Sequence, residues 1–393
     1  MRTSNTVRIL FINSVYKYGS TGYIIANIKN ELKSKGHEVK VAFGRHAERS
    51  DEDSIVIGNW LDILLSVIGS RLFDNHGLMN KRATRKFIRE IDKQHFDIIN
   101  LHNIHGYYIN YPILFKYLAE KKVPVVWSLH DGWSMTGHAA YDKRFFSSLA
   151  NVSQSDALRR YPAGFLFNRS KKNLKDREKY MSMLGACTIT TDSKWLMTYV
   201  KNSYLGKYNK KVIHTGVDLS IFKPKKIERL NGKKVILGVA SVWDDSKGLG
   251  DFMKLQSMIK SDFEIVMVGL TKKQIAALPI GIVGIRRTDS AEQLADLYNQ
   301  ADVFLNLTYE DNYPTTNLEA LACGTSVITY DTGGSPEIIS DCAHCVVDQG
   351  DLESIAKAIS NVAGNTAKID ILRINKDTMI KEYIKLYNEI IRL

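Results

Sequence analysis

The chain has 393 residues, 44% of them apolar, which makes it too long for one ordinary domain and too apolar for disorder; two α/β domains of about 200 residues each are expected. Its net charge of +12 is unevenly placed, with 34 Lys and Arg against 18 Asp and Glu in residues 1–217, and 20 against 24 in the remainder. A basic half admits nucleic acid, an anionic membrane surface or an acidic substrate, and with no segment built like a nucleic-acid-binding module the last two are favoured.

The first residues, Met1-Arg2-Thr3-Ser4-Asn5-Thr6-Val7-Arg8, lack the apolar stretch and small-residue cleavage site of a leader, and no apolar run approaches the ~20 residues that span a bilayer. A cytoplasmic setting is expected. Val7-Arg8-Ile9-Leu10-Phe11-Ile12 reads as a buried strand, followed by a turn at Gly19-Ser20-Thr21-Gly22. Residues 24–35 then carry helical spacing at Ile24, Ile25, Ile28 and Leu32, Gly36 stops the helix, and Val39-Lys40-Val41-Ala42-Phe43 begins the next strand. That βαβ order opens a parallel sheet. Ile98-Ile99-Asn100-Leu101 and the run from Val123 through Val125, Val126 and Trp127 to Leu129 continue it.

Two stretches fit this rhythm poorly. Residues 60–73 are amphipathic and lead into Lys81-Arg82-Ala83-Thr84-Arg85-Lys86, and residues 139–179 mix Tyr161-Pro162-Ala163-Gly164-Phe165 with a Lys/Arg-rich helix. The plain expectation for both is helices packed on a sheet; the charge asymmetry keeps a membrane-facing or acceptor-facing surface open. A connection is expected from Val212 through Gly216 and Asp218 to Pro224, and a second set of strands follows at Val235–Ala240, Glu264–Gly269, Val303–Leu307 and Ser326–Tyr330. The expected organisation is 1–210, 211–376 and a helix at 377–393 returning toward the first domain. Of the four cysteines, Cys187 stands alone, Cys323 lies in a helix-like segment, and Cys342 and Cys345 form C-x-x-C. With no thioredoxin-like setting and no second ligand pair, a reduced pair is expected.

The most informative segment is Glu310-Asp311-Asn312-Tyr313-Pro314-Thr315-Thr316-Asn317-Leu318-Glu319, running on to Gly324. A strand ends at Thr308, an acidic turn follows, and a helix begins near Thr315 or Thr316. Unpaired N–H groups and partial positive charge at a helix start suit phosphate, while acidic side chains in the same loop accept hydrogen bonds from hydroxyls. Together they form the chemistry of a sugar diphosphate site; a capped core helix with solvated acids would read the same way in isolation.

Asp311 and Glu319, with the Ala-x-Ala-x-Gly-like run that follows, resemble the mark of glycosyltransferase family 4, a retaining family of α/β GT-B fold, with two Rossmann-like domains facing across a cleft. The resemblance runs over essentially the whole chain, and is closest to bacterial exopolysaccharide, colanic-acid-type and O-antigen transferases. It implies that Asp311, or its neighbour Glu310, binds sugar hydroxyls and that Glu319 anchors the nucleotide ribose, with Asn312, Tyr313, Thr315 and Thr316 lining the donor. Gly238-Val239-Ala240-Ser241-Val242-Trp243-Asp244-Asp245-Ser246-Lys247-Gly248 is similar to the family element whose Arg and Lys hold the diphosphate. Lys247 matches the Lys; Ser241 stands where the Arg would be, and Arg286 or Arg287 is the candidate substitute.

On the first domain, Gly19 and Gly22 would let backbone approach a phosphate or acceptor, without the G-x-G-x-x-G of an NAD site. His130, in Trp127-Ser128-Leu129-His130-Asp131-Gly132, resembles the family histidine beside the anomeric carbon, and His105 an acceptor contact. Gly333-Gly334-Ser335-Pro336-Glu337 reads as a helix start with Ser335 as its cap. No ligand set for a metal is visible, so metal-independent transfer without cofactor is expected. The resemblance implies a UDP- or GDP-linked sugar donor and a saccharide acceptor, with the basic half pointing to a polyprenyl-diphosphate-linked one at the cytoplasmic surface of the inner membrane. Competing readings are a sugar-nucleotide epimerase of the same fold and a non-enzymatic basic membrane- or nucleic-acid-binding protein.

Overall fold

The structure, a computed structural model, describes residues 6–140, 167–227, 232–339, 345–363 and 370–391. The chain divides into two compact units: unit 1 is Met1–Ile213 with Ile380–Leu393, and unit 2 is His214–Met379. Each is built on one parallel sheet.

In unit 1 the elements run β1 (Arg8–Val15), α1 (Gly19–Ser34), β2 (Glu38–Arg45), β3 (Ser54–Val56), α2 (Trp60–Phe73), α3 (Lys81–Ile91), β4 (Ile98–Leu101), α4 (Tyr111–Lys121), β5 (Val125–Leu129), α5 (Ser170–Met181), β6 (Cys187–Thr191), α6 (Lys194–Lys201) and β7 (Asn209–Val212). The strands lie in the order β3-β2-β1-β4-β5-β6-β7. Because crossover helices cover both faces, the central strands are buried along almost their whole length, as parallel sheets require: Leu10, Ile12, Leu101, Trp127 and Ile189 have no exposed surface. Helix α1 starts at Gly19, earlier than the apolar spacing indicates, because Gly-Ser-Thr-Gly forms its first turn instead of a turn before it. Strand β6 reads Cys-Thr-Ile-Thr-Thr yet is wholly buried. It tolerates this because Thr190 donates to Ser128 Oγ at 2.9 Å and Thr191 to the Ser193 carbonyl at 2.7 Å.

Helix α2 differs from the plain expectation. Its small side is inward, at Ser66, Gly69 and Ser70, and its apolar stripe is outward. Of the mixed segment 139–179, residues 141–166 lie outside the described residues.

Unit 2 comprises β8 (Lys234–Val239), α7 (Leu249–Leu255), β9 (Phe263–Val268), α8 (Lys272–Ala276), β10 (Ile282–Ile285), α9 (Ala291–Gln300), β11 (Val303–Asn306), α10 (Thr315–Ala322), β12 (Ser326–Tyr330), α11 (Ser335–Ile338), β13 (Val346–Val347) and α12 (Leu352–Val362). The strand order is β10-β9-β8-β11-β12-β13. Cys345 is disulfide-bonded, which corrects the expectation of a reduced pair; Cys342 lies outside the described residues. Helix α11 is preceded by Gly334 as its cap, so Ser335 is the first helical residue and not the cap.

Helix α13 (Lys376–Ile391) begins in unit 2 and from Ile380 belongs to unit 1. The two segments entering and leaving unit 2 pair with each other: Val217 N–H donates to the Ile374 carbonyl at 2.8 Å and Lys376 N–H to the Val217 carbonyl at 2.9 Å. Within unit 1, α13 is held by more than its apolar stripe. Buried Tyr383 donates to Ser128 Oγ at 3.1 Å, and buried Tyr387 donates to Asn100 Oδ1. Asn100 in turn donates to the Leu101 and Val126 carbonyls and to Ser128, which forms a polar seam under the helix. Tyr387→Phe leaves the buried Asn100 oxygen without that donor, and a loss of about 1–3 kcal/mol in urea unfolding of the full chain is expected. An unchanged midpoint would mean the seam does not hold the helix.

Candidate active site

In an open parallel sheet, neighbouring loops diverge where strand order reverses, leaving a crevice beyond the carboxyl ends. In unit 2 that point lies between β8 and β11. The loop after β8 carries Ser241 to Lys247, and the loop after β11 carries Thr308 to Pro314. They are clipped together, with Tyr309 N–H donating to the Ser246 carbonyl at 2.8 Å and Thr308 Oγ1 to the same carbonyl at 3.2 Å. Gly248 permits this, and Gly333, in the loop after β12, permits a second close approach to the loop after β11. Gly248 has φ +72°, and a Cβ there would stand 2.3 Å from the Leu307 carbonyl oxygen. Gly333 has φ +56°, and a Cβ there would stand 1.9 Å from the Asp311 carbonyl oxygen. A side chain at either position would push the loops apart.

The clip sets the position of Lys247. Its ammonium lies 2.8 Å from Asp311 Oδ2 and also donates to Thr308 Oγ1 at 3.2 Å and the Glu310 carbonyl at 3.3 Å. Asp311 Oδ1 accepts from the Asn312 N–H at 2.9 Å, so the carboxylate is fixed on both sides. Helix α10 starts three residues after Asn312. Its cap is Pro314, which makes no side-chain capping bond, and no protein acceptor is found for the Thr315 and Thr316 amides among the described residues. One turn on, Asn317 is fully buried; its carbonyl oxygen accepts from Asn306 at 2.8 Å, while its Nδ2 has no partner among the described residues. Tyr313 is buried, with its ring stacked on His214 at 5.0 Å. Ammonium, open helix start and acidic turn therefore occupy one locality.

Glu319, on the same helix, accepts from the Tyr298 hydroxyl at 2.9 Å through Oε2. Burial raises its pKa to about 7, only partly offset by that hydrogen bond. The carboxylate is thus held at an energetic cost, a common trait of groups kept for binding or chemistry.

Other anticipated residues are more scattered. Ser241 is exposed, and Arg286 and Arg287 are exposed after β10, two strands from β8; none makes an ion pair among the described residues. Gly19, Gly22, His105 and His130 belong to unit 1. There the strand order reverses between β1 and β4, and Gly19 and Gly22 form the first turn of α1, just beyond β1. A Cβ at Gly22 would sit 3.2 Å from the Lys17 amide nitrogen.

His130, beyond β5, is held at 2.7 Å by Asp192 Oδ2 through Nδ1 and at 2.9 Å from His102 Nδ1 through Nε2. Burial opposes its charged form, but Asp192, by field and hydrogen bond, outweighs it, so its pKa is raised. Burial, followed by the field of His130, drives the His102 pKa well below the ordinary value. A charged His130 donating to both partners and a neutral His102 fit these directions. His105 pairs with Asp131 at 2.9 Å, and Asp131 accepts from the Trp133 amide. The Asp131 carboxyl is lowered despite burial, chiefly by His105. Asp192 and His102 were not picked out from sequence. Both follow strand ends, but a polar residue at a strand end is common and nothing in the spacing ties them to His130.

The family model described as Glycosyltransferase Family 4 matches residues 21–221, and one described as Glycosyl transferases group 1 matches residues 233–365. The chain belongs to glycosyltransferase family 4. Among the family's curated members it is 21% identical over 313 residues to the putative colanic acid biosynthesis glycosyl transferase WcaC of Escherichia coli (strain K12), covering 75% of this chain and 76% of that one. It is 23% identical over 203 residues to the N,N'-diacetylbacillosaminyl-diphospho-undecaprenol alpha-1,3-N-acetylgalactosaminyltransferase of Campylobacter jejuni, covering 45% of this chain and 53% of that one. Much of the latter protein's length is therefore unmatched.

Solved structures of similar fold include sucrose-phosphate synthase from Thermosynechococcus elongatus, at TM-score 0.70 and 15% identity over 98% of both chains. Anabaena Alr3699/HepE in complex with UDP has TM-score 0.66 and 13% identity over 98% of this chain and all of that one. With two parallel Rossmann-like sheets, this family 4 glycosyltransferase has the α/β GT-B fold, and its class of reaction is glycosyl transfer.

The raised Glu319 pKa gives this glycosyltransferase a pH signature. Between the ordinary Glu range and pH 7 the folded state holds more protons than the unfolded chain, so stability falls as pH rises through that window. Glu319→Gln removes the penalty. Urea melts are expected to show the variant more stable than the native chain by about 3 kcal/mol at pH 8 and equal to it near pH 4. A difference independent of pH would contradict a buried, strained carboxylate.

Proposed function

We propose that the chain is a retaining hexosyltransferase that binds a nucleotide-sugar on unit 2 and passes the sugar to a lipid-diphosphate-linked saccharide at the cytoplasmic face of a membrane, in cell-surface polysaccharide synthesis. The observation that carries this reading is the Lys247 ammonium beside Asp311 at the crevice between β8 and β11, next to the uncapped start of α10. The relatives lend support: the E. coli protein is named for colanic acid, the Campylobacter protein for a diphospho-undecaprenol acceptor, and HepE structures hold UDP and UDP-glucose.

Breaking the bond between the anomeric carbon and the phosphate oxygen leaves negative charge on the nucleoside diphosphate, and groups already positioned to receive that charge lower the barrier most. In our reading the diphosphate takes the ammonium of Lys247 and the amides of Thr315 and Thr316, competing with Asp311 for Lys247. Asp311, so released, orients sugar hydroxyls. The second oxygen of Glu319, which has no protein hydrogen bond among the described residues, receives the ribose hydroxyls. The acceptor hydroxyl attacks the anomeric carbon from the face the phosphate leaves, giving its proton to the departing phosphate oxygen. On unit 1, His130 is assigned to the reacting carbon, with Asp192 holding its ring and favouring its charged form, and His105 to the acceptor side. Positive charge comes from Lys247 and the helix start, so no resident metal or cofactor is invoked.

A thermal-shift screen of UDP- and GDP-sugars tests the donor assignment, because a ligand at a hundred times its Kd raises stability by about 2.7 kcal/mol. One nucleotide series should stabilise the chain, and Glu319→Ala should abolish that shift. Lys247→Ala should weaken nucleoside diphosphate binding about a hundredfold while leaving free nucleoside binding nearly intact. Full transferase activity in the Glu319 variant would overturn the assignment.

A further inference from the structure

Helix α2 is inside out. It buries Ser66, Gly69 and Ser70 and exposes Trp60, Leu61, Leu64, Leu65 and Ile68, with Trp60 70% accessible. At 100° per residue those five side chains fall within one sector of the helix, forming a continuous stripe and not scattered exposure. Isolated exposed Leu residues need no explanation; a contiguous stripe on a well-formed helix does. The helix does not owe its formation to that stripe. Asn59 Oδ1 accepts from the Leu61 and Asp62 amides, and the Asn59 backbone N–H donates to Asp62 Oδ2, closing a capping box. At the far end, Phe73 is also exposed and stacks on exposed Phe167 with 5.9 Å between ring centroids, outside the sector of the stripe.

The charge around the stripe says what it meets. Helix α3 follows within a few residues and presents Lys81, Arg82, Arg85, Lys86 and Arg89 to solvent, with Thr84, Phe87 and Ile91 turned inward. Its first turn lies against the start of α2, since a Cβ at Gly58 would contact both Asp62 and Ala83 at 3.0–3.3 Å. An apolar helix face ending in Trp, beside a helix of exposed cations, complements a surface that is apolar within and anionic at its rim. With 14 residues, α2 is about 21 Å long, too short for a hydrocarbon core of about 30 Å. No helix among the described residues is long and apolar enough to cross a membrane.

We infer that α2 is an interfacial membrane-docking helix. It lies in the plane of an anionic lipid bilayer with Trp60, Leu61, Leu64, Leu65 and Ile68 below the headgroups, while α3 meets the phosphates. This deepens the lipid-linked acceptor reading, to which it adds the surface that reaches the lipid, and it is measured without any sugar nucleotide.

The test is co-sedimentation of the full chain with phosphatidylcholine vesicles containing about one quarter phosphatidylglycerol, and with phosphatidylcholine alone. Binding is expected to favour the anionic vesicles and to weaken with salt. The combined variant Leu64→Gln, Leu65→Gln, Ile68→Gln should reduce partitioning at least about tenfold, because each exposed aliphatic chain contributes to insertion. Its thermal melt should stay close to that of the native chain, since these side chains are exposed and join no core cluster among the described residues. Arg85→Gln with Lys86→Gln should remove the anionic preference and spare the residual binding. The inference is overturned by absence of vesicle binding, by binding undiminished in the triple variant, or by a self-associated native chain that the triple variant makes monomeric without any vesicle effect. Vesicle binding with no sugar-nucleotide shift would sink the donor reading and leave the docking helix standing; the reverse outcome would sink only the latter.

Discussion

Both units obey one constraint. Parallel strands joined by right-handed crossovers deliver every carboxyl end to the same edge, and a reversal of strand order opens that edge at one place. In unit 2 the place is between β8 and β11, and the local chemistry follows from keeping two loops close there. Gly248 keeps those two loops together, and Gly333 seats the loop after β12 against the second of them, by lacking side chains: each presents bare backbone to a carbonyl that a Cβ would displace. Lys247 reaches Asp311, in the turn before α10, because the strand-end loop carrying it rests on Leu307 and Thr308. Sheet topology chooses the location, glycine sterics bring the loops together, and charge gives the result a purpose.

Charges at both strand-end clusters are kept under tension. Asp311 neutralises Lys247 while each remains partly accessible, so the pair can exchange partners with an anion at modest cost. Glu319 is the opposite case, a carboxyl whose surroundings favour its neutral form and which, among the described residues, is stabilised by one hydroxyl. In unit 1, Asp192 favours the charged form of His130 while burial and the field of His130 favour the neutral form of His102, so two adjacent imidazoles are biased in opposite directions. Such arrangements reduce stability locally and are retained where binding requires them.

The legibility of the chain in its sequence follows the same physics. Strands buried on both faces announce themselves as apolar runs, which is why Ile98–Leu101 and Ser326–Tyr330 coincide with the observed bounds. Strand β6 does not, because its hydroxyls are satisfied by partners distant in sequence, at Ser128 and Ser193. The stop of α10 at Gly324 is visible as a glycine at φ +83°, while the start of α1 is obscured because glycines there read as a turn. Lys247, Asp311 and Glu319 were found through the spacing of two motifs. Asp192 and His102 were not, since their link to His130 exists only across neighbouring strand ends. The outward stripe of α2 was left open between two readings for a simple reason: periodicity gives the angle between apolar and polar faces, but not which of them meets the core.

The returning helix has a consequence for biogenesis. All seven strands of the first sheet are translated by Val212, yet the hydroxyls that cover Asn100 and Ser128 come from Tyr387 and Tyr383, which follow the whole of unit 2. On the ribosome, the segment made first is therefore the last to be sealed. Until α13 emerges, a nascent chain carries an open polar seam across β4 and β5, beside the apolar side chains the helix will cover. That interval is when chaperones and proteases would distinguish a finished molecule from an interrupted one.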